Sequence, residues 1–127
     1  LMVGTTDQSE WSVGFYDPYG DGASDVQILR HLYKTQIREL AKYLGVPEKI
    51  VNKPSSGDLA AGLPNESAIG LTYEQLDSIL WGLDHSLPEK EIVLQTRVTP
   101  AAIAAVQKAM SIARLRERLP SMLPLLP

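Results

Sequence analysis

The sequence predicts an α/β protein whose share in this chain is mostly helical. Two observations carry that expectation. The strand-like stretches, "LMVG" and "DVQIL", both fall within the first 30 residues, while the rest is punctuated by helix caps and by apolar residues at helical spacing. A third observation concerns completeness: one or two short strands are not stable in water without more sheet or a packing layer, so these two are expected to belong to a sheet whose other strands lie elsewhere.

In chain order, "LMVG" reads as the end of a buried strand stopped by Gly4. Asp7 followed three residues later by Glu10 forms an N-cap and N3 pair, which predicts a short helix from about Asp7 to Phe15. "DPYGDGAS" is expected to be a loop because of Pro18, Gly20 and Gly22, and "DVQIL" a brief second strand. "LYKTQIRELAKYLG" places Ile37, Leu40, Ala41 and Leu44 on one face, with Gly45 at the stop and Pro47 opening a shorter helix, "VPEKIV". Residues 52–70 are polar and aperiodic, and are expected to be a mobile or functional loop. Thr72 with Gln75 caps "YEQLDSILWGL", whose Leu76, Ile79, Leu80 and Leu83 form a buried stripe. Ser86 with Glu89 repeats the device for "PEKEIVLQ". Thr99 and Pro100 open a last helix with Ile103, Val106 and Met110 facing inward, and the proline-broken "LPSMLPLLP" reads as a tail. The sum is four or five helices and at most two strands in one domain, divided at 1–51, 52–70 and 71–127.

Composition narrows the functional classes. A formal charge of −3 with Lys and Arg dispersed disfavours general polyanion binding, so no nucleic-acid partner is expected. No apolar run approaches the roughly 18 residues of a spanning helix, so no membrane partner is expected either. Cysteine is absent, which rules out disulfides and thiolate metal sites and fits a reducing cytoplasm. Leu1 is not an initiator residue, and the chain reads as starting inside something larger.

Four clusters could carry chemistry. A hydroxyl at a strand end (Thr5) and a carboxylate on the next helix (Glu10, near Asp7) match the crevice where open α/β sheets bind nucleotides, where the acid could hold Mg²⁺ against phosphates; the alternative is that Glu10 only closes a capping box. "GDGASD" offers Asp21 and Asp25 as substrate groups or as solvated turn acids, and it does not match a calcium loop. Lys34 opposes its own helix dipole, so either an anion sits beside it or it reaches solvent. "KPSSGDL" could clamp phosphate through Ser56 and backbone N–H groups or be an ordinary polar loop. His31 and His85 lack partners at metal spacing, and "RLRER" is read as a solvated face.

In this order and spacing, "VGTTDQSE", "GFYDPYGDGASD", "LYKTQIRELAKYLGVPEKIV", "KPSSGDL" and "IGLTYEQLDSIL" closely resemble the C-terminal half of the ammonia-dependent NAD synthetases; the remaining residues match in helical layout and in the closing "RERLP". The resemblance implies the C-terminal part of a Rossmann-like, parallel-sheet adenine-nucleotide hydrolase fold of the ATP-pyrophosphatase type. It also implies amidation of deamido-NAD with ammonia: the nicotinate carboxylate attacks the α-phosphorus of ATP, and ammonia displaces AMP from the acyl-adenylate. By matching position, Thr5, Lys34 and Ser56 would contact ATP, Glu10 would hold Mg²⁺, Asp25 would bind deamido-NAD, and Asp21 would be the catalytic acid near the ammonia. A homodimer is implied as well. The sequence departs from the family at several points. The Ser-Gly-Gly-x-Asp-Ser phosphate loop is absent; Pro18 stands where the family has a deamido-NAD lysine, Leu115 and Arg116 where it has His-Lys, and Asn65 where it has an acid.

Three readings follow: a C-terminal portion of such a ligase, inactive alone; a diverged nucleotide-binding relative without the reaction; or a small helix-turn-helix module in "EKEIVLQTRVTPAAIAAVQKAM". The Ala- and Ile-rich second helix and the acidic balance count against the third.

Overall fold

The computed structural model describes residues 1–56 and 64–117, so the tail and residues 57–63 of the expected loop lie outside the described residues. Two short strands, β1 (Val3–Gly4) and β2 (Val26–Gln27), pair in parallel with Val3 opposite Val26 and Gly4 opposite Gln27. Between them lie α1 (Gln8–Ser12) and a single 3₁₀ turn at Asp21–Ala23. Helices α2 (Lys34–Tyr43), α3 (Glu48–Val51), α4 (Asn65–Ile69), α5 (Tyr73–Asp84), α6 (Glu89–Thr96) and α7 (Pro100–Arg116) follow.

The core forms around α5. Tyr73, Leu76, Ile79 and Leu80 are fully buried there and meet Ile92 of α6, Val98, and Ile103 and Val106 of α7. That clustering removes the apolar stripe of each helix from water, the main driving force for the assembly. α6 and α7 are thus built into the core through their apolar faces. Gly82 allows the close approach of α6, since a Cβ there would come within 2.8 Å of Ile92 Cγ1.

Several expectations hold to the residue. Asp7 and Glu10 close the capping box of α1, Thr72 and Gln75 that of α5, and the Thr99 side chain caps α7 ahead of Pro100. Others need correction. The strand "LMVG" forms at Val3–Gly4 but is only partly buried: Gly4 is buried against Ser24, while Val3 is 51% exposed, because β1 and β2 are the whole sheet among the described residues. α1 stops at Ser12, as Gly14 (φ 72) turns the chain away before Phe15. The 3₁₀ turn takes in Gly22, so "DPYGDGAS" is not loop throughout. Of the predicted stripe of α2, Ile37 and Ala41 are half-buried while Leu40 and Leu44 are exposed, so that face is only partly packed. The aperiodic 52–70 stretch contains α4, too short to show a period and opened by Pro64. Ser86 does not cap α6: it adopts a left-handed conformation (φ 56), and Pro88 takes the N-cap position. Leu83 and Met110 are only half-buried, at the margin of the core.

Candidate functional site

Thr5 follows directly on β1, so it sits just beyond the strand end. The chain then turns into α1, whose first turn delivers Glu10. Against this edge the 3₁₀ turn contributes Asp21, and the segments before and within α4 contribute Ser56 and Asn65. The result is a cleft of about 820 Å³ lined by Thr5, Glu10, Asp21 and Ser56, with Phe15 and Tyr16 among its apolar walls. Four residues from three of the four sequence clusters therefore meet in one place.

Lys34 stands behind that cleft. Its Nζ lies 2.5 Å from Asp7 Oδ2 and 2.9 Å from Glu10 Oε1, with side-chain exposures of 17%, 0% and 15% for the lysine and the two acids. The lysine is directed to these acids and keeps only a small part of its side chain in solvent. The anion that offsets its conflict with the helix dipole is supplied by the chain itself. Burial works against charge on Lys34, but Asp7 and then Glu10 outweigh it and hold its pKa above the ordinary value. Asp7 is pushed the other way: burial, reinforced by Glu10, raises its pKa despite the opposing pull of Lys34.

Glu10 is held on both sides. Its Oε1 accepts from the Tyr73 hydroxyl at 3.1 Å and from Asn65 Nδ2 at 3.4 Å, besides Lys34. Asn65 also donates to the Tyr73 oxygen at 3.3 Å. Burial raises the Tyr73 phenol well above its ordinary pKa, so it stays a neutral donor to the carboxylate. An acid at position 65 would have placed a further negative charge against Glu10; the amide of Asn65 donates instead. Among the described residues no group of three or more His, Cys, Asp or Glu side chains is arranged to hold a metal ion. Of the two acids beside Lys34, Glu10 is the one that lines the cleft, and it presents there as a single carboxylate.

The expected substrate residues fall elsewhere. Asp25 Oδ2 accepts from the Met2 amide at 2.6 Å, next to the strand pair, and lines neither cleft. Pro18 and Arg116 come together in a second cleft of about 470 Å³, with Trp11, Tyr16, Tyr19, Arg30 and Glu117. Leu115 faces solvent. There the Arg30 guanidinium lies 3.7 Å over the Trp11 ring, Trp11 stacks on Tyr16 at 4.2 Å, and Glu117 accepts from both Arg30 and the Trp11 indole N–H. Arg116 donates to the Gly14 carbonyl at 2.9 Å. Positive charge beside Pro18 thus comes from Arg30 and Arg116, and Tyr16 lines both clefts. Of "RLRER", Arg114 and Arg116 are both exposed as expected, and Arg116 also lines this open cleft.

Sequence reasoning missed Asp77, Tyr73, Asn65 as a partner of Glu10, and Arg30. The one available signal was Asp77 itself, an acid embedded in the apolar stripe "LDSIL".

Comparison with known proteins adds the following. A family model described as NAD synthase matches residues 1–120. The NH(3)-dependent NAD(+) synthetase of Coprothermobacter proteolyticus is 47% identical over 92 residues, covering 72% of this chain and 31% of that protein. The enzyme of the same name from Pyrococcus furiosus is 36% identical over 121 residues, covering 94% and 47%. The chain therefore spans less than half the length of either relative. Among solved structures, NMN synthetase from Francisella tularensis superposes with a TM-score of 0.76 at 30% identity, over 98% of this chain and 46% of that one. NH3-dependent NAD synthetase from Campylobacter jejuni superposes with a TM-score of 0.67 at 27% identity, over 95% and 44%.

Proposed function

The chain belongs to the NAD synthase family, and on that premise we propose that it is the C-terminal portion of an ATP-dependent, ammonia-using ligase that amidates deamido-NAD. The observation that carries this reading is the convergence of Thr5, Glu10, Asp21 and Ser56 on one cleft at the end of a parallel strand. That is where nucleotides bind in open α/β sheets.

Thr5 and Ser56, both lining the cleft, contact ATP. Glu10 would hold Mg²⁺ through a carboxylate oxygen, and the metal would supply positive charge that lowers the repulsion between two polyanionic substrates. Lys34, charged and buried behind Glu10, contributes positive potential in a region shielded from water, where it is worth more than at the surface. Asp21 takes a proton from the ammonium ion or holds it near the reacting carbonyl. The second cleft receives the substrate's anionic groups at Arg30 and Arg116 beside Pro18, while Leu115 and Asp25, also at positions the family uses for deamido-NAD, lie outside it. Binding both substrates across the shared Tyr16 wall brings carboxylate and α-phosphorus together, which is the larger share of what such a site must do.

The exposed Val3 and Val26 support the further proposal that more parallel sheet, bearing the Ser-Gly-Gly-x-Asp-Ser loop, packs here in the complete enzyme, since parallel sheets are covered on both faces. A homodimer would cover Leu40 and Leu44 of α2 in the same way. The absence of cysteine agrees with a cytoplasmic location.

The test is NAD formation from deamido-NAD, ATP, Mg²⁺ and ammonia. The chain alone should give none, and addition of a relative's N-terminal half carrying the phosphate loop should restore it. Turnover by the isolated chain would overturn its proposed dependence on that loop. A folded, reconstituted pair that stays silent would favour the diverged nucleotide-binding reading. The likeness to an NMN synthetase favours a second substrate reading, the mononucleotide in place of deamido-NAD. Offering both acids in competition decides between them.

A further inference from the structure

Asp77 lies in α5 among Leu76, Ile79 and Leu80 and is 5% exposed. A carboxylate there is costly unless its oxygens are engaged. Its Oδ1 accepts from Ser9 Oγ at 2.5 Å, across 68 residues of sequence, and its Oδ2 accepts from the Thr35 amide at 2.9 Å. Ser9 is itself fully buried, and its Oγ accepts from the Lys34 amide at 2.9 Å. Gln8 N donates to the Leu32 carbonyl at 2.9 Å, adding a backbone tie between the same two segments.

These bonds have a shared consequence. Ser9 immediately precedes Glu10, while Lys34 and Thr35 open α2. One buried carboxylate from a third helix therefore joins the backbone that carries Glu10 to the backbone that carries Lys34. It also places a negative charge at the N-terminus of α2, where the helix dipole favours one and where Lys34 alone would oppose it. At the start of α2 the Gln36 side chain accepts from the Tyr33 amide at 2.9 Å, and the next two amides, of Lys34 and Thr35, depend on Ser9 and Asp77.

We propose that Asp77, acting through Ser9, is the positioning residue of the nucleotide cleft, holding the start of α2 so that Lys34 meets Glu10 at 2.9 Å. It touches neither substrate nor metal. This role rests on the reading of Glu10 and Lys34 as cleft residues, but its test requires no turnover.

The measurement is the rate at which each lysine of the folded chain is acetylated by acetic anhydride, read residue by residue by mass spectrometry. In the unsubstituted protein Lys34 reacts slowest, with Lys49 and Lys90 as exposed references. In Ser9→Ala and Asp77→Asn the Lys34 rate rises roughly tenfold or more, as loss of a bond to a charged group implies, while the reference lysines keep their rates. Ser9→Thr retains the hydroxyl and stays near the original rate. Thr99→Ala, destabilised at a distant cap, leaves Lys34 protected. If Asp77→Asn fails to fold, Ser9→Ala carries the test alone. The proposal is overturned if Lys34 stays protected in folded Ser9→Ala, or if Thr99→Ala exposes it equally. Failure here would leave the ligase reading standing, because that reading depends on NAD formation.

Discussion

Replacing Lys34 by Met removes the cation from between two shielded carboxylates. The side chain of Asp7 is 0% exposed and that of Glu10 15%, so water cannot easily replace the ammonium. Breaking a buried pair by deleting one partner costs about 3–5 kcal/mol, a large part of the roughly 5–15 kcal/mol that holds a domain together. The pH dependence identifies the cause. Asp7 already has a raised pKa from burial and from Glu10, and Lys34 is the main influence pulling it down. Without Lys34 it rises further. A carboxylate with a raised folded pKa binds more protons folded than unfolded, so stability falls as pH climbs from the ordinary value of 3.8 to the raised one. The penalty of Lys34→Met is therefore largest at and above neutrality and shrinks in mild acid. Urea unfolding at about pH 5 and about pH 8 measures both gaps, and Glu10→Gln in the same background should recover part of the loss by removing the like-charge repulsion. A gap below about 1 kcal/mol, or one equal at both pH values, would mean a solvated surface pair and would refute the buried-cluster argument.

Other substitutions probe the rest of the fold. Tyr73→Phe removes the hydroxyl shared by Glu10 and Asn65 and should cost about 1–2 kcal/mol in urea unfolding. Ultraviolet titration should show the Tyr73 and Tyr33 phenols ionising later than ordinary tyrosine, with stability falling as pH passes 10.0 because only the unfolded chain ionises freely there. Gly82→Ala drives a Cβ to 2.8 Å from Ile92 Cγ1 and should cost about 1–3 kcal/mol despite the gain in helix propensity. Thr99→Ala removes the α7 cap and should lower stability by about 1 kcal/mol in the same assay.

What the sequence made legible was local. The caps at Asp7, Thr72 and Thr99 require partners three residues away, and all three form. The stripe of α5 was legible because its partners, α6 and α7, are in the same chain. The stripe of α2 has the same period, yet Leu40 and Leu44 stay exposed: periodicity reports which face wants cover and says nothing about what supplies it. Ser86 failed for a different reason. Ser and Glu at capping spacing do not form a box when Pro88 stands between them and takes the N-cap itself.

The candidate site divides along the same line. Thr5, Glu10, Asp21 and Ser56 stood as candidates beside plain capping and turn roles until the family resemblance singled them out, and the fold brings all four to one cleft. The charge balance within the site could not. Lys34 invited the expectation of an external anion, and its nearest anions prove to be Asp7 and Glu10, more than twenty residues earlier in the chain. On the proposed reading, this would change what a nucleotide must do on arrival. A phosphate approaching Lys34 would compete with Glu10, and a metal approaching Glu10 would compete with Lys34, so each alone would give up an ion pair to gain one. A metal and a phosphate arriving together would replace that single pair with two, and the shielded position of the cluster would make the exchange worth more than in open solvent.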